Sequence, residues 1–275
     1  MNTTVTRSIS GIVFLAVMIG CLLEVRYLFP WLFLFIQAQM LREFYQITLG
    51  DRHKAVQKAA ILLAMTAFGL VWLYLGPRPL PVKYFSILLP LLVGLLVWMV
   101  VDHKDFKEYA YVLAGLLYIG LPLALSPFVV SCATGYSGLL MLAFFIIIWS
   151  SDVGAYCFGM VFGQKIWPAK MCPEISPKKS WAGFFGGWLT VLVAAYILIR
   201  TGMIDFPVVH VLVMASLMHV TGVFGDLFES LWKRQFGVKD SGNIMPGHGG
   251  LLDRFDSALF AIPIAYVYLM LFDLV

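Results

Sequence analysis

The chain has 275 residues, of which 61% are hydrophobic and only 12% charged, with a net charge of +4. So few charges in so much apolar sequence exclude a soluble globular protein and predict an all-α polytopic membrane protein. The apolar runs are continuous rather than alternating, which also excludes a membrane β-barrel.

A spanning helix needs roughly 20 mostly apolar residues. Nine runs answer to this, at about 8–23, 27–49, 59–76, 84–101, 109–130, 137–162, 181–202, 207–232 and 251–274. The first follows Arg7 and has no small-residue cleavage site before Glu24-Val25-Arg26, so it is read as an uncleaved helix. The next four are joined by short loops and hold few charges, Glu43 being the main exception. The style changes near residue 136. Residues 1–136 read as a helical scaffold and 137–275 as the catalytic half of a single membrane domain.

Polar residues enter the helices from the sixth run onward. "IIIWSSDVGAYCFG" places Asp152 inside that run. The loop 163–180 ends in "EISPKKSWAGFFGG", with Lys178 and Lys179 just ahead of a helix that Ser180 is placed to cap. A helix N-terminus beside two lysines is an anion site, although lysines there serve equally as topology anchors. Gly159-x-x-x-Gly163 and Gly183-x-x-x-Gly187 have the spacing that lets helix backbones approach. The eighth run ends in "GVFGDLFESLWKR", where Asp226 and Glu229 share a face. The loop "KRQFGVKDSGNIMPGHGG" then brings Lys233, Arg234, Lys239 and His248, with glycines that let backbone N–H groups point at a ligand. His248 is a candidate to bind phosphate or donate a proton, or makes only a structural hydrogen bond. Asp253 and Asp256 open the last run on one face. Cys21, Cys132, Cys157 and Cys172 are scattered without metal-ligand spacing, and read as packing or loop residues.

Nine spans divide the basic residues unequally. Only Arg26, Arg78, Lys83 and Arg200 of the 19 lysines and arginines fall on one side, and that asymmetry predicts a cytoplasmic N-terminus with the two long loops also inside. Intramembrane carboxylates cost roughly 2.5–3.5 kcal/mol each on insertion scales and usually mark function. Asp226 lies roughly 10 Å inside the cytoplasmic end at 1.5 Å per residue. Asp253 opens the last helix, so the two are expected to meet at similar depth, with Asp152 deeper. Carboxylates converging beside lysines suit a hard divalent cation that holds phosphate oxygens. The competing reading is internal salt bridges, Asp253 with Lys233 or Asp256 with Arg234.

The run Ser230-Leu-Trp-Lys-Arg, then Lys239-Asp240-Ser-Gly, then Pro246-Gly-His-Gly-Gly-Leu-Leu-Asp-Arg-Phe-Asp256 resembles the signature of the phosphatidate cytidylyltransferase (CDP-diacylglycerol synthase) family. The "SPKKSWAG" loop and the polar helix around Asp152 are similar to that family too, while the first half matches in hydropathy only. Trp232 and Met245 stand where the pattern has smaller aliphatic residues, and both changes stay apolar. The resemblance implies transfer of a cytidylyl group from CTP to phosphatidic acid in the bilayer, at a site facing the cytoplasm of a cell's inner membrane. It implies Asp226, Asp253, Lys233, Arg234 and His248 as catalytic residues. Ser176, Lys178, Lys179, Ser180, Lys239, Asp240, Gly249, Gly250 and Arg254 would bind substrate. Magnesium would sit on Asp226 and Asp253, with Asp152, Glu229 and Asp256 as further ligand candidates and a second cation left open. No nucleic-acid partner is expected, and a homodimer is left open.

Two rival classes compete with this reading. An organic-anion transporter should repeat its polar residues in both halves near the midplane, whereas here they crowd one half. Another membrane enzyme, acting on lipid phosphates or polyprenols with a nucleotide, is the nearer alternative. Of these, a CDP-alcohol phosphotransferase would need a D-x-x-D-G run, which this chain lacks.

Overall fold

The computed structural model describes residues 3–23, 26–102, 105–132, 135–163, 166–247 and 249–274, with backbone alone for 3–8, 102, 132 and 135. Helices dominate: α1 (Thr3–Leu23), α2 (Leu28–Thr48), α3 (Lys54–Tyr74), α4 (Leu88–Asp102), α5 (Phe106–Gly115), α6 (Leu121–Val130), α7 (Gly138–Val161), α8 (Trp181–Arg200), α9 (Val208–Gln235) and α10 (Leu252–Leu271). Among the described residues, seven stretches are long and apolar enough to cross a bilayer: Lys54–Tyr74, Val82–Val101, Phe106–Val130, Gly138–Val161, Trp181–Arg200, Val208–Gln235 and Leu252–Leu271. The protein is therefore an all-α polytopic membrane protein. The first two expected runs fall outside that set for different reasons. The side chains of α1 are described only over Ile9–Leu23, whereas α2 carries Gln37, Gln39, Arg42 and Glu43 in its second half.

The helices gather into two compact units, Met1–Tyr136 with Asp240–Arg254, and Ser137–Lys239 with Phe255–Val275. In the first, α3 packs against α2, α4 and α6. Phe29, Phe33 and Phe68 are fully buried there, and the Phe29 and Phe33 rings stack with centroids 4.3 Å apart. Buried donors in this unit, Gln37 and Tyr45 among them, close onto backbone carbonyls. Gln37 donates Nε2–H to Gly120 O (2.9 Å), where Leu116–Gly120 runs as a π-type turn between α5 and α6. Such a turn breaks the regular ladder and opens a carbonyl to a side-chain donor.

The second unit packs α7 on α8, and α9 on both. A Cβ at Gly183 would sit 2.8 Å from Ala155 O, and one at Gly187 would sit 2.9 Å from Ser151 O. The two glycines thus let α8 press onto the α7 backbone, the packing role their spacing predicts. A short antiparallel pair, β1 (Ser131–Cys132) and β2 (Gly135–Tyr136), precedes α7 in the chain. Strands β3 (Lys170–Cys172) and β4 (Ser176–Ser180) follow α7 as an antiparallel hairpin that pairs Lys170 with Ser180 and Cys172 with Ser176. The sequence suggested only a loop here. Strands this short, with lysines and a proline, leave no apolar alternation to read.

Candidate active site

The hairpin decides where the basic pair stands. Its second strand runs straight into α8, whose first turn is capped by Ser180: the hydroxyl accepts from the Gly183 N–H at 3.1 Å. Trp181 N–H donates to Ala169 O (3.1 Å), which ties the base of the hairpin to the helix start. Lys178 and Lys179 are therefore fixed two residues and one residue ahead of the Ser180 cap, where the helix dipole favours anions.

These elements enclose a cavity of about 370 Å³ within the second unit. Its polar lining is Ser151, Asp152 and Tyr156 from α7, Ser176, Lys178, Lys179 and Ser180 from β4, and Asp226 from α9. Lys179 Nζ lies 2.7 Å from Asp226 Oδ2, and the two side chains are 21% and 35% exposed. That exposure matters: a ligand can reach the pair and exchange with either partner. Lys179 Nζ also donates to Val223 O (3.3 Å), and Ser230 O–H donates to Asp226 Oδ1 (3.3 Å). Behind the cavity wall, Ser151 Oγ meets His219 Nδ1 at 2.7 Å, with both residues buried.

One turn beyond Asp226, Lys233 Nζ and Glu229 Oε2 form an ion pair at 2.7 Å, with side chains 10% and 1% exposed. Arg234 points the other way, donating to Val238 O (3.2 Å) from an exposed position. Asp256 of α10 lies within Coulombic reach of Asp226, Glu229 and Asp152. Four carboxylates thus share one neighbourhood, but no group of three His, Cys, Asp or Glu among the described residues forms a metal cage by itself. Magnesium does not need one, because it takes one or two carboxylates and completes its shell with water and substrate phosphate. Asp152 and Asp226, hard oxygen donors in the lining of one cavity, fit that requirement.

Asp253 belongs to the first unit and has a different setting. Its carboxylate accepts from Ser241 N–H through Oδ1 (3.1 Å) and Oδ2 (2.9 Å), and from Gly250 N–H through Oδ2 (2.8 Å). Asp253 thus reaches back over three residues and holds the N–H of Gly250 just ahead of α10. Gly249 takes φ +85, a left-handed conformation that a side chain would strain, and a Cβ there would also crowd Asp253 Oδ2 at 2.6 Å. The same loop is held from α2. Glu43, 5% exposed, accepts from Leu251 N–H (3.0 Å) and Leu252 N–H (2.9 Å), from Ser241 O–H (3.1 Å) and from Gln39 Nε2 (2.9 Å).

Of the residues singled out from sequence, Asp152, Ser176, Lys178, Lys179, Ser180 and Asp226 come together in one cavity. Glu229 and Lys233 pair beside it. Arg234, Lys239, Asp240 and Arg254 are exposed, Gly249, Gly250 and Asp253 build the glycine loop, and His248 lies outside the described residues. Sequence reasoning missed Tyr156, the Ser151–His219 pair and the grip of Glu43. Only Glu43 left a signal, a charge in an otherwise apolar half.

A model of the Cytidylyltransferase family matches residues 5–272 of the chain. The phosphatidate cytidylyltransferase of Bacillus subtilis (strain 168) is 36% identical over 216 residues, which cover 74% of this chain and 77% of that protein. The one from Rickettsia bellii (strain RML369-C) is 34% identical over 213 residues, 75% of this chain and 85% of its own. For Staphylococcus haemolyticus (strain JCSC1435) the identity is 37% over 171 residues, and the match spans 62% of each chain.

Proposed function

This chain belongs to the cytidylyltransferase family, and on that premise we propose that it is a phosphatidate cytidylyltransferase, converting CTP and phosphatidic acid to CDP-diacylglycerol and pyrophosphate. The observation that carries the reading is the cavity in the second unit, where two lysines at a capped helix start face two aspartates. It offers cationic and N–H donors for phosphates beside hard oxygen donors for a cation.

The chemistry needs little from the protein beyond placement and charge. An oxygen of the lipid phosphate attacks the α-phosphorus of CTP and a P–O bond forms. The bond to the β-phosphate breaks, and pyrophosphate leaves with the electron pair. A phosphate monoester is already a nucleophile at neutral pH, so no serine or histidine is required to activate it. Lys178 and Lys179 hold the triphosphate and offset the negative charge that grows on the leaving group. Until substrate arrives, Lys179 rests on Asp226, and each can then turn to an incoming partner. Asp226 with Asp152 are the residues proposed to hold magnesium, which when bound neutralises phosphate charge. Asp253, with its orientation set by Ser241 and Gly250, is proposed as a further carboxylate of the reaction, and exposed Arg234 and Lys239 as further phosphate contacts.

The basic loops argue that the cavity faces the cytoplasm of a cell's inner membrane, in a nine-span topology with the N-terminus inside. One experiment tests activity and sidedness together. Purified protein is reconstituted into sealed vesicles containing phosphatidic acid, and labelled CTP is supplied outside, with magnesium or with a chelator. Labelled lipid and equimolar pyrophosphate should form only with magnesium, and only from molecules whose 233–250 loop is open to protease from outside. Absence of labelled lipid in detergent would refute the activity. Product from molecules with the opposite orientation would refute the topology.

A further inference from the structure

Glu43 stands on a helix that carries none of the signature residues, yet every hydrogen bond it makes besides the one from Gln39 goes to the segment 241–252. Two of those donors, the N–H groups of Leu251 and Leu252, lie where α10 begins and have no intrahelical acceptor. The third is the Ser241 hydroxyl. That hydroxyl oxygen also accepts from Asp253 N–H (3.3 Å), while Ser241 N–H donates to both Asp253 oxygens. A chain of bonds therefore runs from Glu43 through Ser241 to Asp253. The space around it is closed as well: a Cβ at Gly242 would lie 2.9 Å from Glu43 Oε1, and one at Gly250 would overlap Ser241 Oγ and sit 2.5 Å from Glu43 Oε2.

We propose that Glu43 is a positioning residue, whose carboxylate clasps the glycine loop to α2 and thereby fixes the direction of the Asp253 carboxylate for cytidylyl transfer. Only a carboxylate serves. Both oxygens accept from donors, so an amide at this place turns its own N–H₂ toward one of them and leaves a buried donor unanswered. Outer partners of a functional carboxylate typically change activity by roughly 10- to 100-fold when removed, and Glu43 acts at that distance. The proposal rests on the cytidylyltransferase reading for its kinetic arm only.

The test uses full-length protein in detergent and compares wild type with Glu43→Gln, Glu43→Asp and Ser241→Ala. Glu43→Gln should lower kcat by roughly 10- to 100-fold with KM for CTP within about 2-fold. Exchange of the amides of Leu251 and Leu252 should accelerate by roughly 10-fold while peptides from α7 to α9 keep their protection. Glu43→Asp, which keeps both acceptors on a shorter arm, should recover part of both losses. Ser241→Ala removes one link and should shift both readouts the same way by less. Unchanged exchange in the loop would refute the clasp. Fast exchange with wild-type kcat would refute the positioning role, and so would loss of protection throughout the molecule. Should wild type make no CDP-diacylglycerol, the proposed function falls and the exchange arm alone decides on the clasp.

Discussion

In the first unit, Glu43 and Asp253 are answered mainly by backbone N–H groups of one loop, whereas in the second, Asp226 and Glu229 are answered by lysines. The residue types are the same, but their freedom differs. A backbone amide is fixed by the chain around it and cannot leave, so carboxylates met this way hold shape. A lysine on four methylenes can turn to another anion, so a part-exposed pair such as Lys179–Asp226 is the proposed store of two charges for substrate. Burial then divides the second unit again, because Glu229 and Lys233 are too enclosed to exchange freely. The inventory of charges alone does not separate shape from chemistry; what answers each charge does.

The contrast is open to attack at its most buried point. Lys233→Ala removes one partner of an enclosed pair and should cost about 3–5 kcal/mol of stability, seen as a lower unfolding midpoint in detergent. Replacing both members together, Glu229→Gln with Lys233→Met, should return most of it. If Lys233→Ala melts like wild type and only KM for CTP rises, Lys233 belongs with the exchangeable charges and not with the structural ones.

An effect of similar size, on substrate binding rather than on stability, is expected from the hairpin. Lys178→Ala with Lys179→Ala removes two charge-assisted phosphate contacts, each worth about 1.5–3 kcal/mol. The result should be a raised KM for CTP or lowered turnover, with an unchanged midpoint. Kinetic constants near wild type would make the two lysines topology anchors.

The smallest loss should come from the loop of the first unit. Gly250→Ala puts a Cβ onto Ser241 Oγ and Glu43 Oε2, and overpacking of this kind costs about 1–3 kcal/mol. Its mark is faster amide exchange at 241–252 and a lower midpoint. A midpoint and exchange pattern equal to wild type would mean that the loop has room to spare.

The seven spans were legible because continuous apolar runs leave no other fold in a bilayer. The Ser180 cap was legible too, since a hydroxyl ahead of an apolar run is a local signal. The hairpin was not, for want of alternation. The loop partners of Glu43 lie 198 to 209 residues away, and two of them are backbone N–H groups, which have no letter in the sequence. His219 looked like one more helix residue, and its pairing with Ser151 depends on how α7 and α9 pack. Asp226 was visible as an intramembrane acid expected to meet Asp253, but nothing in the sequence joined it to Lys179 on a strand ahead of α8.

The Lys179–Asp226 pair is proposed to be a working charge store and not a structural bridge. The direct measurement is cytidylyl transfer by Asp226→Asn across magnesium concentrations, alongside its unfolding midpoint. The substitution is nearly isosteric and removes one charge. Turnover should fall by a factor of ~10² to 10³, the scale for losing one electrostatic stabiliser, with the magnesium requirement shifted upward and the midpoint unchanged. Near-wild-type turnover with a lowered midpoint would contradict the claim and make Asp226 a structural partner of Lys179.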